Sequence, residues 1–122
     1  MIGGLLSKIF GARPAWIEGG LYATRREDGS YAALKILKTD AQGVHVRTYS
    51  NVYPQPPTRI DEAALYMAGI HDGDGEHLGM GHLPVSHASF SGWGAVFVQR
   101  STVAGDELEG YEMWREAEGG YF

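Results

Sequence analysis

The pair Asp28-Gly29 constrains the fold of this chain more than any other feature of its sequence. It separates two stretches of strand-forming residues, 21–26 and 31–38, and Asp-Gly in that setting is the strongest short-range signal for a β-hairpin. A further turn leads into a third alternating stretch, 44–52. This part of the chain is therefore predicted to form a three-stranded antiparallel meander.

The alternation of side chains assigns the two faces of the third strand. Successive residues of a strand point to opposite faces of its sheet, so Val44 and Val46 share one face. Tyr49 shares the other face with His45 and Arg47. Because this second face carries polar side chains, we expect it to face water, with Tyr49 exposed.

Shorter elements are predicted after the meander. Proline has no N–H to donate to a sheet, so Pro54, Pro56 and Pro57 end it. Asp61 fits the cap of a short helix, and Ser86 fits the cap of a second helix.

The end of the chain is predicted to form a strand and then a helix. Residues 94–103 are rich in strand-forming side chains. Asp106 and Glu109 have the spacing of a capping box, which opens the last helix. Four aromatic residues are expected in the core: Trp93, Phe97, Tyr111 and Trp114.

These elements predict an α+β fold with a strongly bent antiparallel sheet, or an SH3-like partial barrel, of about five strands with short flanking helices. The chain has 122 residues, which suits one domain with one core, so residues 1–122 are predicted to form a single domain. Residues 2–10 are predicted to add an N-terminal amphipathic helix, because their apolar side chains fall on one helical face. Those side chains are Ile2, Leu5, Leu6, Ile9 and Phe10.

Charge is distributed unevenly along the chain, whose net charge is −5. Residues 1–60 hold eight Lys/Arg and four Asp/Glu, a net of +4, and residues 61–122 hold two and eleven, a net of −9. General nucleic-acid binding needs a basic surface, so we expect no nucleic-acid partner. An acidic half can attract a basic protein and accelerate its encounter, or it can serve solubility alone.

The sequence also bears on membranes and compartment. No apolar run approaches the roughly 20 residues that a membrane span requires. The first eleven residues lack the basic region and cleavage site of a signal peptide. The expected compartment is therefore the cytoplasm, without a transmembrane segment.

The loop from His71 to His82 holds the densest group of metal-ligand side chains, namely His71, Asp72, Asp74, Glu76 and His77. Carboxylates and imidazoles are ligands for hard or borderline cations. The loop departs from a calcium-binding loop, however, because His77 replaces the required Gly and Leu83 replaces the closing Glu. Its spacing also matches no zinc pattern, so we expect a solvated turn and no metal.

No motif indicates catalysis. The chain has no cysteine, which excludes a thiolate nucleophile and a disulfide scaffold. Ser86, Ser89 and Ser91 lie near His82 and His87, but no Gly-x-Ser-x-Gly elbow is present. We therefore predict a protein that is not an enzyme and holds no cofactor.

One stretch resembles a known family. Gly20-Leu21-Tyr22-Ala23 and the segment from Asp28 to Leu37 are similar to the opening strands of small SH3-like barrel proteins among the immunity proteins of bacterial toxin systems. There, a Gly-x-x-Tyr/Phe-Ala strand is followed by a Gly-containing turn and a strand ending in Lys/Arg-Val/Ile-Leu. The resemblance covers residues 19–38, and the second half of the chain resembles only uncharacterised bacterial proteins. The resemblance implies a non-enzymatic protein that binds and blocks another protein.

The function predicted from the sequence is thus a protein-binding module, in particular a bacterial toxin-neutralising (immunity) or accessory protein that blocks a basic partner. Its partner-binding residues would be Glu107, Glu109, Glu112 and Glu116 of the last helix, together with Tyr49. Two alternatives remain open. One is a small metal-dependent enzyme that uses the His71–His82 loop, and the other is a membrane-surface or assembly adaptor that uses residues 2–10.

Overall fold

A computed structural model describes residues 16–71 and 75–122, and within them the chain forms one five-stranded antiparallel sheet. The strands are β1 (Gly20–Arg25), β2 (Tyr31–Thr39), β3 (Gly43–Thr48), β4 (Met80–Ser86) and β5 (Val96–Arg100). Their order across the sheet is β4-β3-β2-β1-β5. In the described part of the chain two short α-helices accompany the sheet, α1 (His87–Ser91) and α2 (Glu109–Glu116). The predicted α+β class is confirmed, and the sheet is not closed into a barrel.

The predicted meander is present as β1, β2 and β3, and local hydrogen bonds fix both of its turns. In the first turn the Arg26 N–H donates to the Ser30 carbonyl at 2.7 Å, and Gly29 has a φ of 89°. This is a three-residue loop with glycine in the left-handed region, a longer connection than a two-residue Asp-Gly turn. In the second turn the Asp40 Oδ1 atom accepts from the Gln42 and Gly43 N–H groups at 2.7 and 2.9 Å.

Both faces of the sheet are covered. The first face carries the larger apolar cluster, which consists of Tyr22, Leu34, Ile36, Val44, Val46, Val85 and Phe90. The second face carries a smaller apolar cluster, which consists of Leu21, Ala33, Tyr49 and Ile60. The central strands β2 and β3 have buried side chains on both faces. The polar side of β3 is therefore covered too, and His45 is 0 % exposed.

Strand β4 was not predicted. It begins at Met80, so the expected loop from His71 to His82 is wrong for its last three residues. It pairs with β3 at the edge of the sheet, where Pro84 lies opposite His45. Proline is compatible with an edge strand, because its missing N–H removes no internal bond of the sheet. The helix predicted after it is present as α1, and the Ser86 side chain caps it by accepting from the Ser89 N–H at 3.2 Å.

The last helix begins differently from the prediction. A 3₁₀-helix, Gly105–Leu108, precedes α2. The capping carboxylate belongs to Glu107, whose Oε1 atom accepts from the Ala104 N–H at 2.8 Å. The Asp106 and Glu109 capping box is therefore wrong, because both residues lie beyond the position that caps this turn.

Other local predictions have mixed outcomes. Asp61 caps a 3₁₀-helix, Glu62–Ala64, as expected. Trp93 packs against the first apolar cluster, but Phe97 is 41 % exposed and does not belong to the core. The helix predicted over residues 2–10 lies outside the described residues.

Candidate functional site

The C-terminal segment 101–122 covers polar side chains on the second face of the sheet. We call these side chains and their partners the polar layer, which consists of Lys35, Asp40, His45, Arg47, His82, Glu107 and Tyr121. Strands β2, β3 and β4 and the turn that holds Asp40 supply the sheet side, and the C-terminal segment supplies Glu107 and Tyr121. Burying polar groups is costly unless they find partners, so the bonds that Glu107 and Tyr121 form in this layer help to fix the segment on the sheet.

The first half of the polar layer is an ionic cluster. Lys35 is 6 % exposed, and its Nζ donates to both carboxylate oxygens of Glu107, at 3.2 and 3.0 Å, and to the Thr102 carbonyl at 2.9 Å. Arg47 approaches the same carboxylate at 3.7 Å. Glu107 thus balances a buried cation, and it ties the C-terminal segment to two strands.

This placement overturns the expectation that Glu107 faces water as part of an acidic partner-binding helix. The Glu107 side chain is 13 % exposed. Burial alone would raise its carboxyl pKa, but hydrogen bonds from Ala104 and Lys35 lower that pKa overall. Its role in this structure is internal, because it satisfies Lys35 and the turn before α2.

The second half of the polar layer is a chain of hydrogen bonds. His82 Nε2 lies 2.8 Å from His45 Nδ1, and His45 Nε2 lies 2.8 Å from the Tyr121 hydroxyl. The Tyr121 hydroxyl in turn donates to an Asp40 carboxylate oxygen. A consistent set of donors therefore runs from His82 through His45 and Tyr121 to Asp40.

Aromatic rings enclose His45. The ring of Trp114 lies 4.4 Å from the imidazole, that of Tyr111 lies 4.8 Å from it, and that of Tyr121 lies 5.2 Å from it, centroid to centroid. Helix α2 approaches closely because Gly110 faces His82, where a Cβ atom would lie 2.5 Å from the His82 Cβ. Tyr111 and Trp114, both expected in the core, are half-buried, and they pack on His45 and not in either apolar cluster.

Burial shifts the pKa values of this chain of groups. Burial, and then repulsion from His45, lowers the pKa of His82 to about 4. Burial also lowers the pKa of His45, although the Asp40 carboxylate opposes that shift. Burial and the bond to Asp40 raise the pKa of the Tyr121 phenol. Because both pKa values lie below 6.5, both imidazoles are neutral at pH 7, and His45 Nδ1 can accept a hydrogen bond from His82 Nε2–H.

The hydrogen bonds around His45 hold the C-terminal segment on the sheet, which is a structural role. Both ring nitrogens of His45 have partners and its ring is buried, so in this conformation it has no open position for a substrate. This network was not predicted. The residues that share its hydrogen bonds lie 37 to 81 positions apart, so no local motif brings each pair together.

Tyr49 does not lie on an exposed surface. It is 6 % exposed and belongs to the second apolar cluster, beside Ile60. Burial raises the pKa of its phenol to about 12. The expected exposure is wrong because the segment after β3 folds back over this face of the sheet.

The outer side of the C-terminal segment remains acidic. Asp106, Glu109, Glu112 and Glu116 follow one another at intervals of three or four residues, so they share one side of α2 and its preceding turn; we call them the acidic face. Asp106, Glu109 and Glu116 are exposed, and the Glu112 side chain is 45 % exposed and pairs with Arg115 at 2.6 Å. Met113, 71 % exposed, projects beside these carboxylates.

The loop predicted as a possible cation site is only partly described. Glu76 accepts a hydrogen bond from the Tyr66 hydroxyl at 2.7 Å, and His71 is exposed. Asp72 and Asp74 lie outside the described residues. Within ranges 16–71 and 75–122, no three His, Cys, Asp or Glu side chains are grouped to hold a metal ion.

The fold and these features define a small α+β protein with an open five-stranded sheet, a buried polar layer and an acidic helix. Comparisons with protein-family models, with curated proteins and with solved structures found no match. Within the part of the chain that the structure describes, no helix has the length and apolar character needed to cross a membrane.

Proposed function

We propose that this protein is a non-enzymatic binding module whose acidic face captures a basic protein partner. The observation that carries the proposal is the set of exposed carboxylates at Asp106, Glu109 and Glu116 around the exposed side chain of Met113. Several charges of one sign create a field that steers an oppositely charged partner. Methionine is adaptable and is enriched at interfaces, so Met113 provides an apolar contact beside them.

The way α2 is held supports this role. Tyr111 and Trp114 occupy its inner side against His45, which leaves the acidic face directed away from the sheet. A binding surface on a fixed element loses little conformational entropy on association. The polar layer therefore presents the acidic face without itself making the contact.

A bacterial toxin-neutralising or accessory role is the more specific form of this proposal. Its support is the resemblance of residues 19–38 to immunity proteins and the net charge of −9 on residues 61–122. Many toxins that cleave nucleic acids are basic, so an acidic inhibitor suits them electrostatically. Glu107 and Tyr49 do not belong to the proposed surface, since Glu107 is largely covered and paired with Lys35, and Tyr49 is buried.

The test compares two double charge reversals with the same change in net charge. Affinity capture from a bacterial host, followed by mass spectrometry, supplies the partner, and surface plasmon resonance measures its association rate. We expect Glu109→Lys with Glu116→Lys to slow association about tenfold or more at low salt. The control is Glu27→Lys with Glu76→Lys, which alters exposed carboxylates away from α2.

Salt provides the second measurement. The difference between the two double variants should shrink in 1 M salt, where the Debye length is about 3 Å. If both variants associate at the same rate at low salt, or if the rate does not depend on salt, the acidic face is not the capture surface and the proposal is wrong.

A further inference from the structure

A cleft of about 250 Å³ opens on the second face of the sheet, beside the smaller apolar cluster. Its lining consists of Ala23, Arg25, Tyr31, Pro56, Pro57, Gly94, Val96 and Val98. Ala23 lies opposite Val96 in the sheet, and Arg25 lies opposite Tyr31. Register and pleat therefore place the strand residues of the lining on one face.

The wall opposite the strands is formed by Pro56 and Pro57, and hydrogen bonds hold the segment around them at both ends. At one end Tyr53 and Tyr31 exchange backbone hydrogen bonds of 2.8 and 3.0 Å. At the other end the Gln99 side-chain amide bonds to both the N–H and the carbonyl of Ile60, at 2.9 and 3.0 Å. Pro56 and Pro57 lie between these ties, and proline restricts the backbone further. The cleft is thus formed before any ligand arrives, which reduces the entropy lost on binding.

The floor of the cleft is apolar and open to solvent. Val96 is 65 % exposed, although it lies on the same face as buried Ala23. Gly94 stands at the lining with open space around it, since a Cβ atom there would meet nothing within 4 Å. Covering such a floor with an apolar group of a ligand would release water and favour binding.

Two polar groups in the lining have no polar partner among the described residues. Within residues 16–71 and 75–122, the Arg25 guanidinium forms no hydrogen bond or ion pair, and the Tyr31 hydroxyl has no hydrogen-bond partner. The neighbouring Arg26, by contrast, donates to the Tyr31 and Asn51 carbonyls. Among the described residues, the lining includes no carboxylate, and Arg25 is its one formally charged side chain.

We infer that this cleft binds a small apolar carboxylic acid, with its apolar part between the proline wall and Val96 and its carboxylate on Arg25 and Tyr31. Arginine presents several N–H donors in a planar fork that matches a carboxylate. The tyrosine hydroxyl supplies one further donor. The site shares no residue with the acidic face, so its test does not depend on the proposed function.

The test is a titration of the ¹⁵N-labelled protein by NMR with three small probes. Phenylacetate carries both the ring and the charge, phenylacetamide keeps the shape without the charge, and acetate keeps the charge without the ring. We expect phenylacetate to bind with a Kd of about 1–5 mM, the range for a ligand of this size. The shifted amides should be those of the lining, and the two control probes should bind at least about tenfold more weakly.

Variants then distinguish binding of phenylacetate in this cleft from non-specific attraction of its carboxylate to any exposed arginine. Arg25→Gln should weaken phenylacetate binding about tenfold or more, and Tyr31→Phe about fivefold, as expected for charge-assisted and neutral hydrogen bonds. Arg100→Gln is the matched control, because Arg100 is exposed on β5 and does not line the cleft. Equal binding of phenylacetate and phenylacetamide, equal effects of Arg25→Gln and Arg100→Gln, or no shift of lining amides at about 20 mM probe would each overturn the inference.

Discussion

At the scale of single residues, Lys35 shows most directly what the fold depends on. Its ammonium group is buried and its countercharge is the Glu107 carboxylate, 3.0 Å away. Removing one partner of a buried pair leaves the other charge uncompensated, which costs about 3–5 kcal/mol. Glu107→Ala should therefore lower the free energy of unfolding by about that amount in urea denaturation.

Glu109→Ala provides the control for this prediction, because it removes an exposed carboxylate two positions away. A change of this kind stays within about 0.5 kcal/mol. Replacing both buried partners by apolar residues, Lys35→Met with Glu107→Leu, should recover much of the stability lost in Glu107→Ala. If Glu107→Ala is no more destabilising than Glu109→Ala, the ionic cluster does not stabilise the fold.

Gly29 is a residue whose backbone conformation favours glycine. Its φ of 89° is one that side chains with a Cβ atom rarely adopt. Gly29→Val should destabilise the protein by about 1–2 kcal/mol, measured as a lower midpoint of thermal unfolding. Gly120→Val is the matched control, since Gly120 has no positive φ and open space around it. Equal melting temperatures for the two variants would contradict the strained turn.

At the scale of elements, the polar layer joins the C-terminal segment to the sheet, and Tyr121 is its link to His45. Tyr121→Phe keeps the ring but removes the hydroxyl that contacts both His45 and Asp40. Leaving a buried group without its partner costs about 1–3 kcal/mol. We expect this loss of stability together with faster hydrogen exchange at the amides of α2.

Tyr111→Phe tests whether that effect comes from the hydroxyl. The Tyr111 ring also packs on His45, at 4.8 Å, but within the described residues its hydroxyl forms no hydrogen bond. This variant should therefore exchange at the wild-type rate. Similar exchange in both variants would mean that ring packing alone holds the helix.

The elements also show how far the sequence predicts this structure. The meander and α1 follow from local signals, namely Asp28-Gly29, alternating strands and the Ser86 cap. Strand β4 carries Pro84 in a glycine-rich stretch, so its pattern indicates a turn, and only pairing with β3 makes it a strand.

The positions of the candidate site residues were less predictable for a related reason. Alternation on β3 predicts which side chains share a face, but not whether that face is covered. His45 and Tyr49 are buried by segments that follow later in the chain. The same contacts turn Glu107 inward, whereas Glu109 and Glu116 keep the exposure that the helical pattern predicts.

At the scale of the whole molecule, the C-terminal segment combines a buried polar side with an acidic outer side. Stability depends on the first set of residues and, in the proposed function, partner capture depends on the second. The groups that sense pH lie on the buried side. Burial lowers the pKa of His82 from 6.5 to about 4, and Asp40, Tyr111, Trp114 and Tyr121 surround the His45 ring to which it bonds.

The lowered pKa of His82 determines whether the free energy of unfolding rises or falls with pH. Between about pH 6.5 and pH 4 the unfolded chain binds a proton at residue 82 that the folded protein excludes. Stability therefore rises with pH across that window and is lost as the pH falls through it. Asp40, whose pKa is lowered from 3.8, adds its own loss of stability only as the pH falls further.

We expect the urea midpoint of the wild-type protein to fall steadily as the pH is lowered from about 6.5 to 4. His82→Gln removes the group that titrates, while its amide can still donate to His45 Nδ1, so this variant should show a shallower slope over the same range. His71→Gln removes an exposed histidine outside the network and should keep the wild-type slope. Unfolding curves at half-unit pH intervals measure all three. If His82→Gln and His71→Gln have the same slope, titration of residue 82 does not cause the acid sensitivity of this fold.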